Sequence, residues 1–442
     1  MDLFNVFPFS WHTDEEGNIH LFGLTPENKD VHVEIANFTP YMYMELPATV
    51  EWSEMRKQSI LGLIREFSPE IQPTTTSFMF KHKLYGANVY KIEDKYEYKT
   101  YPFLFLAFRN KQAQMGFLKK IGYGIYVPAL GKRMRFKFHE QDASPVLQMT
   151  ACRKLPVTGW ITGTGHLQLG EMNSSTYEFE YQTSWDRLNA CTDAEILKTI
   201  PCPKILMFDG EANSDNIATM PKNRPNDKMF QLSLAVNRHG NNDAHGNPIV
   251  EKHILSLGQL EQKLVGDDVT IHTYPSEGDL LLGFRDLIRE INPHVMGGYN
   301  ILGWDFDYLI KRARFNNVYE EFVRLGALKG VSSKERKISW SSSAFNAQNF
   351  VFLDIPGRLV IDMLPIVRRD FKFSRYDLGS VSTEILGQTK DPLTHKGIFK
   401  CYRMFTKQSL SLVGKYCVQD SNVTLLLFHK LKTWINSCQM SK

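Results

Sequence analysis

The sequence predicts an α/β protein, α+β overall, with a β-rich N-terminal domain followed by an α/β domain. Its 442 residues exceed the usual size of one domain and indicate two or three. Short apolar runs alternate with polar turns in the first part, whereas strand-like and helix-like patterns mix after the Pro-Cys-Pro at 201–203. We therefore predict a first domain over residues 1–195 and a second over residues 200–442.

The composition is that of a globular protein, with 43% hydrophobic and 23% charged residues. A net charge of +4 fits a nucleic-acid partner, although a small excess of Lys over Glu would give the same value. No secretory signal and no apolar run of the roughly 18 residues that a membrane span requires is present, so we expect no membrane partner. The cysteines form no CxxC or zinc pattern and indicate reduced thiols of an intracellular protein: Cys152, Cys191, Cys202, Cys401, Cys417 and Cys438.

The elements follow from hydrophobic periodicity. In the first domain, the runs IHLFGL, VHVEI, YMYMEL, FLFLAF and TGWITG predict strands, and the 50s and 60s predict a helix. In the second, KILMF, MFQLSLAVN and KHILSLG predict three antiparallel strands, and apolar residues at helical spacing in 280–291 predict a helix. A short strand (HVMGGYN), a helix (FDYLIKRARF) and one long closing helix (SLSLVGKYCVQDSNVTLLLFHKLKTWI) complete an α/β core.

Two acidic clusters lie at the ends of predicted strands. Asp209 and Glu211 stand two apart in FDGEA and project from the same face of one strand, although a solvent-facing pair would look the same. Asn300, Asp305 and Asp307 lie between a short strand and a helix, where an aspartate also serves as an N-cap. Either cluster alone is compatible with a purely structural role.

A third cluster lies on the predicted closing helix. Tyr416 and Asp420 stand four residues apart in YCVQD and share one helical face. A buried Tyr beside a solvated Asp would give the same pattern. The order of the three clusters, DxE on a strand, then N(x)4D, then Yx3D on a helix, is the signature of the Tyr-containing DEDD nucleases.

The chain resembles family B DNA polymerases, especially those of large DNA viruses, over nearly its whole length. YNILGWDFDYLIKRA resembles that family's YNxxxFDxxYLxxRA, and GRLVIDML followed by YDLGSVSTEILG resembles its connection between the second and third motifs. FTPYMYMELP resembles the family's FTPYFYV, and HEQDASPVLQM followed by GWITG resembles a linker of the large-virus enzymes. The resemblance implies a ribonuclease H-like proofreading 3′→5′ exonuclease core after the N-terminal domain.

The resemblance also implies two Mg²⁺ ions, with Mn²⁺ as a substitute. Carboxylates suit these ions because Mg²⁺ prefers hard oxygen ligands. Asp209 would bridge the ions, Glu211 and Asp420 would bind the ion that activates water, and Asp305 would bind the other. Asp305 is preferred to Asp307 because it matches N(x)4D.

Three further residues receive roles from the resemblance. Tyr416 would orient the attacking water without binding metal. Asn300 and Tyr299 would bind the substrate, a single-stranded 3′ end of DNA on a primer-template.

Two positions depart from the family pattern. Gly210 stands inside DxE where the family has an apolar β-branched residue, and we expect it to give up packing in the core and loosen the site. His294 stands where the family often has Asp before GYN, and we assign it no function. The segment 329–343 is basic and Ser-rich, which fits a solvated loop or a loop that contacts single-stranded DNA through phosphates and Trp340.

The polymerase motifs of the family are absent from these residues. The resemblance therefore implies a palm and thumb portion in the same or a second chain, leaves room for a processivity factor, and suggests a host nucleus or a cytoplasmic virus factory. Two alternatives stay open. The chain could be a noncatalytic module that binds DNA or holds the palm, or a free-standing 3′→5′ exonuclease.

Overall fold

A computed structural model describes residues 1–83, 89–92, 95–168, 170, 173–342, 345–388 and 393–440. The strands before residue 200 are β1 (Asp2–Thr13), β2 (Ile19–Leu24), β3 (Asp30–Ala36), β4 (Tyr41–Glu45), β5 (Thr75–Lys81), β6 (Val89–Ile92), β7 (Lys95–Tyr98), β8 (Tyr101–Ala107), β9 (Ile125–Val127), β10 (Lys132–Met134), β11 (Lys137–His139), β12 (Ile161–Gln168), β13 (Phe179–Ser184) and β14 (Leu188–Ala190). The helices there are α1 (Glu54–Arg65), α2 (Lys111–Ile121) and α3 (Pro145–Arg153).

The later part of the chain alternates strands and helices. Its strands are β15 (Lys204–Ala212), β16 (Met229–Arg238), β17 (Glu251–Leu257), β18 (Val269–Tyr274), β19 (Val295–Gly298), β20 (Lys334–Ser342), β21 (Phe345–Asp354) and β22 (Leu359–Asp362). Its helices are α4 (Gln262–Val265), α5 (Glu277–Ile291), α6 (Asp305–Phe315), α7 (Tyr319–Phe322), α8 (Met363–Asp370), α9 (Leu378–Leu386), α10 (His395–Met404), α11 (Lys407–Lys430) and α12 (Thr433–Met440).

The N-terminal part contains two larger sheets with separate cores. One has the order β1-β2-β3-β13-β12-β14 and closes on itself, because β1 pairs with β12 as well as with β2. The other has the order β11-β4-β8-β5. Inward-facing residues of its central strands, such as Met44 and Leu104, pack against Ile60 of α1 and Phe117 of α2. The amphipathic helices α1 and α2 thus cover one face of this second sheet.

The C-terminal sheet has the order β18-β17-β16-β15-β19-β22. Strands β15, β16 and β17 are antiparallel, whereas β19 and β22 run parallel to β15, and β18 runs parallel to β17. Strand β16, in the middle of the sheet, is buried along almost its whole length, as expected for a sheet with helices on both faces. The long helix α11 packs across β15 and β16, which places the end of β15 beside the middle of α11.

Most predicted elements are confirmed, and two predictions are wrong. The closing helix is not continuous: α11 ends at Lys430, Lys432 has a φ of 49°, and α12 starts at Thr433. The segment 329–343 is not a loop over its whole length, because 334–342 forms β20 in a hairpin with β21. The side chain of Trp340 lies outside the described residues. Strands β18 and β22, at the two edges of the sheet, were not predicted as strands.

The two halves share one hydrophobic core. Phe7 and Trp160 of the N-terminal part pack with Ile205 and Val295 of the C-terminal sheet and with Trp434 of α12. The boundary between 1–195 and 200–442 therefore stays a prediction. Within the described ranges, no helix is long and apolar enough to cross a membrane.

The buried His294 also links the halves. Its Nδ1 accepts the backbone N–H of Lys204 at 2.8 Å, so Nε2 carries the proton and donates to Asp30 of β3 at 2.9 Å. Burial lowers the pKa of His294. His294, to which the sequence assigned no function, therefore joins β3 to the start of β15.

Candidate active site

The first acidic cluster lies at the end of β15. Asp209 is half-buried and Glu211 is 9% exposed, and both line a cleft at the C-terminal end of β15. The preceding run KILMF is buried on both faces, and the acids begin where β15 leaves the core. Their spacing of two residues places both on one face of the strand.

Gly210 does not leave a gap in the core. A Cβ at this position would lie 3.1 Å from Leu232 Cδ2 and 3.2 Å from Met229 Cε. Side chains from β16 already occupy the space that a larger residue would take. The expected loss of packing at Gly210 is therefore wrong, because Met229 and Leu232 fill the space.

The third cluster lies on α11, directly opposite β15. Tyr416 and Asp420 both line the same cleft, and Asp420 is 6% exposed. The hydroxyl of Ser233 on β16 donates to the carbonyl of Cys417 at 2.7 Å and so fixes the helix against the sheet. One ligating atom from each of Asp209, Glu211 and Cys417 lies within 4.8 Å of the other two.

The second cluster lies in the turn between β19 and α6. Asn300 has a φ of 65°, in the left-handed region that Asn tolerates better than most residues. Its side-chain oxygen lies against the position that a Cβ on Gly303 would take, so a larger residue there would displace the Asn300 side chain. Asp305 begins α6 and is 5% exposed in the cleft.

A residue that the sequence did not single out holds this turn. Asp362, at the end of β22, accepts the backbone N–H groups of Asn300 at 2.7 Å and Leu302 at 3.0 Å. It also caps α8 by accepting the N–H of Leu364 at 2.9 Å. Asp362 is 6% exposed, so its carboxylate belongs to the interior of the site.

The structure separates Asp305 from its rival Asp307. The cleft is lined by Asp305, whereas the carboxylate of Asp307 pairs with Lys311 one turn along α6 at 2.5 Å. Adjacent turns of a helix bring residues four apart together, so this pair is an ordinary surface interaction. The geometry therefore favours Asp305 as the site residue.

The cleft has a volume of about 920 Å³ and brings together all the predicted site residues: Asp209, Glu211, Tyr299, Asn300, Asp305, Tyr416 and Asp420. The cleft is also lined by Arg368 and Arg375, two exposed cations that no sequence motif had indicated as site residues. The hydroxyl of Tyr299 donates to the carbonyl of Tyr376 at 2.6 Å, so its proton is already engaged within the protein.

The acidic side chains in the cleft repel one another. Burial, together with Asp209 and Asp362, raises the pKa of Asp305 well above its usual value. Burial and the nearby carboxylates of Asp209 and Glu211 likewise raise the pKa of the Cys417 thiol. A cation among these groups would relieve the repulsion.

The side chains fit a metal ion. The donors in the cleft are mainly carboxylate oxygens on three different elements, which is the ligand type that hard divalent cations prefer. Cys417 is a thiol with a raised pKa, so it resists forming the thiolate that softer metals bind. The oxygen-rich set therefore favours a hard cation over zinc.

Comparison with known proteins identifies the family. The family model described as DNA polymerase family B, exonuclease domain, matches residues 136–381. The chain belongs to the family B DNA polymerases. It carries their 3′→5′ exonuclease domain, which is metal-dependent, and the ribonuclease H-like fold expected from the sequence is confirmed.

Relatives extend this match over the whole chain. A DNA polymerase of Invertebrate iridescent virus 3 is 36% identical over 100% of this chain and 40% of its own length. A putative DNA polymerase of Frog virus 3 is 29% identical over 99% of this chain and 39% of its own length. The chain thus spans about 40% of the length of these curated relatives.

Cellular and archaeal proteins are similar at lower identity. The DNA polymerase delta catalytic subunit of Schizosaccharomyces pombe is 24% identical over 96% of this chain and 38% of its own length. The solved structure of the family B DNA polymerase of Pyrobaculum calidifontis matches with a TM-score of 0.63 and 15% identity, over 97% of this chain and 46% of the other. The latter similarity concerns the fold.

Proposed function

We propose that this chain is the N-terminal and proofreading portion of a replicative DNA polymerase and removes nucleotides from the 3′ end of single-stranded DNA. The observation that carries the proposal is that Asp209, Glu211, Asp305 and Asp420, from three separate elements, line one cleft. A group of buried acids is costly unless it serves a cation. The family match supports the same reaction.

The four carboxylates would hold two Mg²⁺ ions, with Mn²⁺ as a substitute. When bound, such ions neutralise the charge of the phosphate and lower the pKa of a water molecule. Burial, followed by the charges of Asp209 and Asp362, raises the pKa of Asp305, so the carboxylates of Asp209 and Asp305 interact across the cleft. Asp209 would serve as the ligand shared by the two ions.

The remaining side chains would position the substrate and the water. Tyr416 lies one helical turn before Asp420, so its hydroxyl can hydrogen-bond a water held near that carboxylate. Asn300 and the ring of Tyr299 line the same cleft and would hold the terminal nucleotide. Arg368 and Arg375 also line the cleft, and their positive charges would contact phosphates.

The cleft suits a single strand better than a duplex end. Tyr299, Trp304 and Tyr376 line it, and aromatic side chains can stack on unpaired bases. A paired 3′ end must first separate, and a mismatched one separates at lower cost. Preference for a mismatched end is the property that proofreading requires.

The remaining portion of the polymerase would be the main partner. The matched relatives are DNA polymerases about 2.5 times as long as this chain. We propose that nucleotide addition belongs to the part of their length that this chain does not cover, located in the same or a second chain. The viral relatives support action in an infected cell, in its nucleus or in a cytoplasmic factory. The hairpin β20–β21 carries exposed Lys334, Arg336 and Lys337, which would contact single-stranded DNA phosphates.

The test is degradation of a 5′-labelled oligonucleotide in Mg²⁺. We expect a ladder that shortens from the 3′ end, release of 5′-mononucleotides, and no reaction in excess EDTA. An oligonucleotide with a blocked 3′ terminus should stay intact, which separates exonuclease from contaminating endonuclease. Equal cleavage by the Asp209→Ala/Glu211→Ala double variant would contradict the assignment.

The same assay separates a catalytic chain from a noncatalytic one. A noncatalytic module would bind the strand and leave it intact at every metal concentration. A free-standing exonuclease with this cleft would share the preference for a mismatched end, and it would differ by having no palm portion encoded with it or in a second chain. The proposal requires cleavage, that preference and such a palm portion.

A further inference from the structure

A buried pair of histidines joins three strands of the first N-terminal sheet to one of its turns. His20 of β2 and His32 of β3 are 7% and 0% exposed, and Nδ1 of His20 lies 2.9 Å from Nε2 of His32. The outer nitrogen of His20, Nε2, lies 3.2 Å from Oδ2 of Asp14 in the turn between β1 and β2. The outer nitrogen of His32, Nδ1, lies 3.2 Å from Oε2 of Glu180 on β13. These four side chains are here called the histidine network.

Both ends of the histidine network are ionised carboxylates. The backbone N–H and hydroxyl groups of Ser174 and Ser175 donate four hydrogen bonds to Glu180, at 2.7 to 3.1 Å. Burial raises the pKa of Glu180, but the contact with His32 and the hydrogen bonds from Ser174 lower it to about 2. Asp14 accepts two backbone N–H groups of its own turn at 2.7 and 2.8 Å, and the hydrogen bonds that it accepts outweigh burial and lower its pKa. Neither end therefore supplies a proton to the histidines at neutral pH.

The contacts fix the number of protons on the two rings. A ring nitrogen that faces a carboxylate carries a proton, because two lone pairs would otherwise repel each other. This applies to Nε2 of His20 and to Nδ1 of His32. The contact between the two rings requires one proton more. Three protons on two imidazoles make one imidazolium and one neutral ring, whereas two neutral rings leave one contact without a proton.

A second charge on the pair is disfavoured. Burial, and then a charge on His32, lower the pKa of His20, whereas Asp14 and Glu34 raise it. His12 of β1 lies opposite His20 in the strand register, and burial and His20 likewise lower its pKa. The histidine network therefore holds one imidazolium between two carboxylates, with a neutral His12 beside it.

The turn at the Asp14 end lies beside the hairpin β20–β21. Asp14 lines a cavity of about 370 Å³ together with Lys334 and Arg336 of β20. The charges of Asp354 on β21 and of Lys334 also act on the pKa of His12, in opposite directions. A change of charge in the histidine network is therefore felt where the turn meets the hairpin.

We propose that the histidine network is a one-proton switch, whose proton is released as the pH rises and whose release detaches the turn 14–18 from His20 beside the hairpin. After release each ring keeps one proton, so that His32 still donates from Nδ1 to Glu180 and His20 still donates from Nδ1 to His32. The proton that leaves is the one on Nε2 of His20, which passes to a base in the solvent. The Asp14 end opens because its side chain is 25% exposed, against 2% for Glu180.

The switch is separate from the exonuclease cleft. None of the four described side chains of the histidine network lines that cleft. The inference therefore goes beyond the proposed exonuclease function, and failure of one leaves the other standing.

The first test counts the protons by NMR of the full chain labelled with ¹⁵N in its histidine rings. Ring ¹⁵N shifts separate protonated from bare nitrogens, and each ring is assigned by the loss of its signals in His20→Gln or His32→Gln. We expect three protonated nitrogens among the four of the pair at pH 6 and two at pH 9, with Nε2 of His20 as the one that changes. A count that stays constant between pH 6 and pH 9, or that reaches four at pH 6, would contradict the proposal.

The second test compares two turns of the wild-type chain by hydrogen exchange. The turns 14–18 and 243–247 both read DxxGN, and Asp243 accepts backbone N–H groups at 2.8 and 2.9 Å much as Asp14 does. After correction for the intrinsic exchange rate, the turn 14–18 should lose about 10-fold or more of its protection between pH 6 and pH 9, as loss of a hydrogen bond to a charged group implies. The protection of the turn 243–247 should not change. An equal change in both turns would contradict the switch.

A matched pair of variants isolates the charge of Asp14. In Asp14→Asn the side chain still accepts the N–H groups of the turn, but it no longer attracts a proton to His20. The protection of the turn 14–18 should then become independent of pH. Asp243→Asn makes the same change in the second turn and should leave the pH dependence at 14–18 as in the wild type. The same pH dependence at 14–18 in both variants would show that Asp14 and His20 do not form a switch.

Discussion

The carboxylate of Asp362 accepts the backbone N–H of Asn300 at 2.7 Å and thereby holds the turn that carries the second acidic motif. Asn300 has a left-handed backbone, and its carbonyl accepts the backbone N–H groups of Gly303 at 3.0 Å and Trp304 at 3.1 Å. The N–H groups of Asn300 and Leu302 have Asp362 as their acceptor. The position of Asp305, which follows the turn, depends on this contact. Asp362 is a positioning residue rather than a proposed metal ligand.

Replacing Asp362 should weaken the site and the fold together. In Asp362→Ala, the N–H groups of Asn300, Leu302 and Leu364 lose their acceptor, and we expect a loss of about 1–3 kcal/mol in the free energy of unfolding. Excision should slow even where the variant is fully folded. Denaturant unfolding and single-turnover excision measure the two effects. Asp370→Ala, on the exposed end of α8, is the control.

Neutralising Asp305 should stabilise the metal-free protein. The pKa of Asp305 is higher in the folded than in the unfolded chain, so the folded state binds more protons and loses stability as the pH rises through that pKa. Asp305→Asn removes this loss. Thermal unfolding in EDTA at pH 5 and pH 8 should show a smaller decrease for the variant. A larger decrease than in the wild type would contradict the crowded-acid account.

Tyr416→Phe should slow the chemical step without changing the need for metal. Its hydroxyl is proposed to position water, and losing one such hydrogen bond corresponds to roughly 1–3 kcal/mol, or about 10- to 100-fold in rate. Single-turnover rates across a Mg²⁺ titration should give a lower plateau at an unchanged midpoint. A shifted midpoint would indicate that Tyr416 acts through metal binding instead.

His429 should make the fold sensitive to acid. Burial and the stacked ring of His239 lower its pKa to about 4, below the value of an unfolded histidine. The contribution of neutral His429 is therefore complete above about pH 6.5 and is lost as the pH falls toward 4. His429→Gln should lose less stability between pH 7 and pH 5 in urea unfolding. His245→Gln, in an exposed turn, should behave like the wild type.

The acidic motifs could be predicted because chemistry limits their residue types and spacing. Two carboxylates on one strand face, and a Tyr and an Asp one helical turn apart, are local patterns that need no knowledge of distant contacts. Asp362 could not be recognised in this way. It follows a strand and precedes a helix, so its sequence pattern is that of an ordinary N-cap, and its contact with Asn300 spans 62 residues.

Other differences between the predicted and the observed structure also have specific physical causes. Strand β20 has only two apolar residues in nine, Ile338 and Trp340, so its sequence shows too little alternation to reveal a strand. The break between α11 and α12 falls at Lys432, where neither Gly nor Pro marks a helix end. The packing around Gly210 depends on Met229 and Leu232 of the neighbouring strand, which the local sequence does not show.

The choice between Asp305 and Asp307 tests the central claim most directly. Single-turnover excision of a 5′-labelled single strand should be measured across a Mg²⁺ titration for Asp305→Ala and Asp307→Ala, after circular dichroism shows that both are folded. We predict that Asp305→Ala loses at least about 1,000-fold, because a metal ligand contributes several kcal/mol. Asp307→Ala should stay within about threefold of the wild type, since its carboxylate pairs with Lys311 at the surface. An inactive Asp307→Ala beside an active Asp305→Ala would contradict the assigned site.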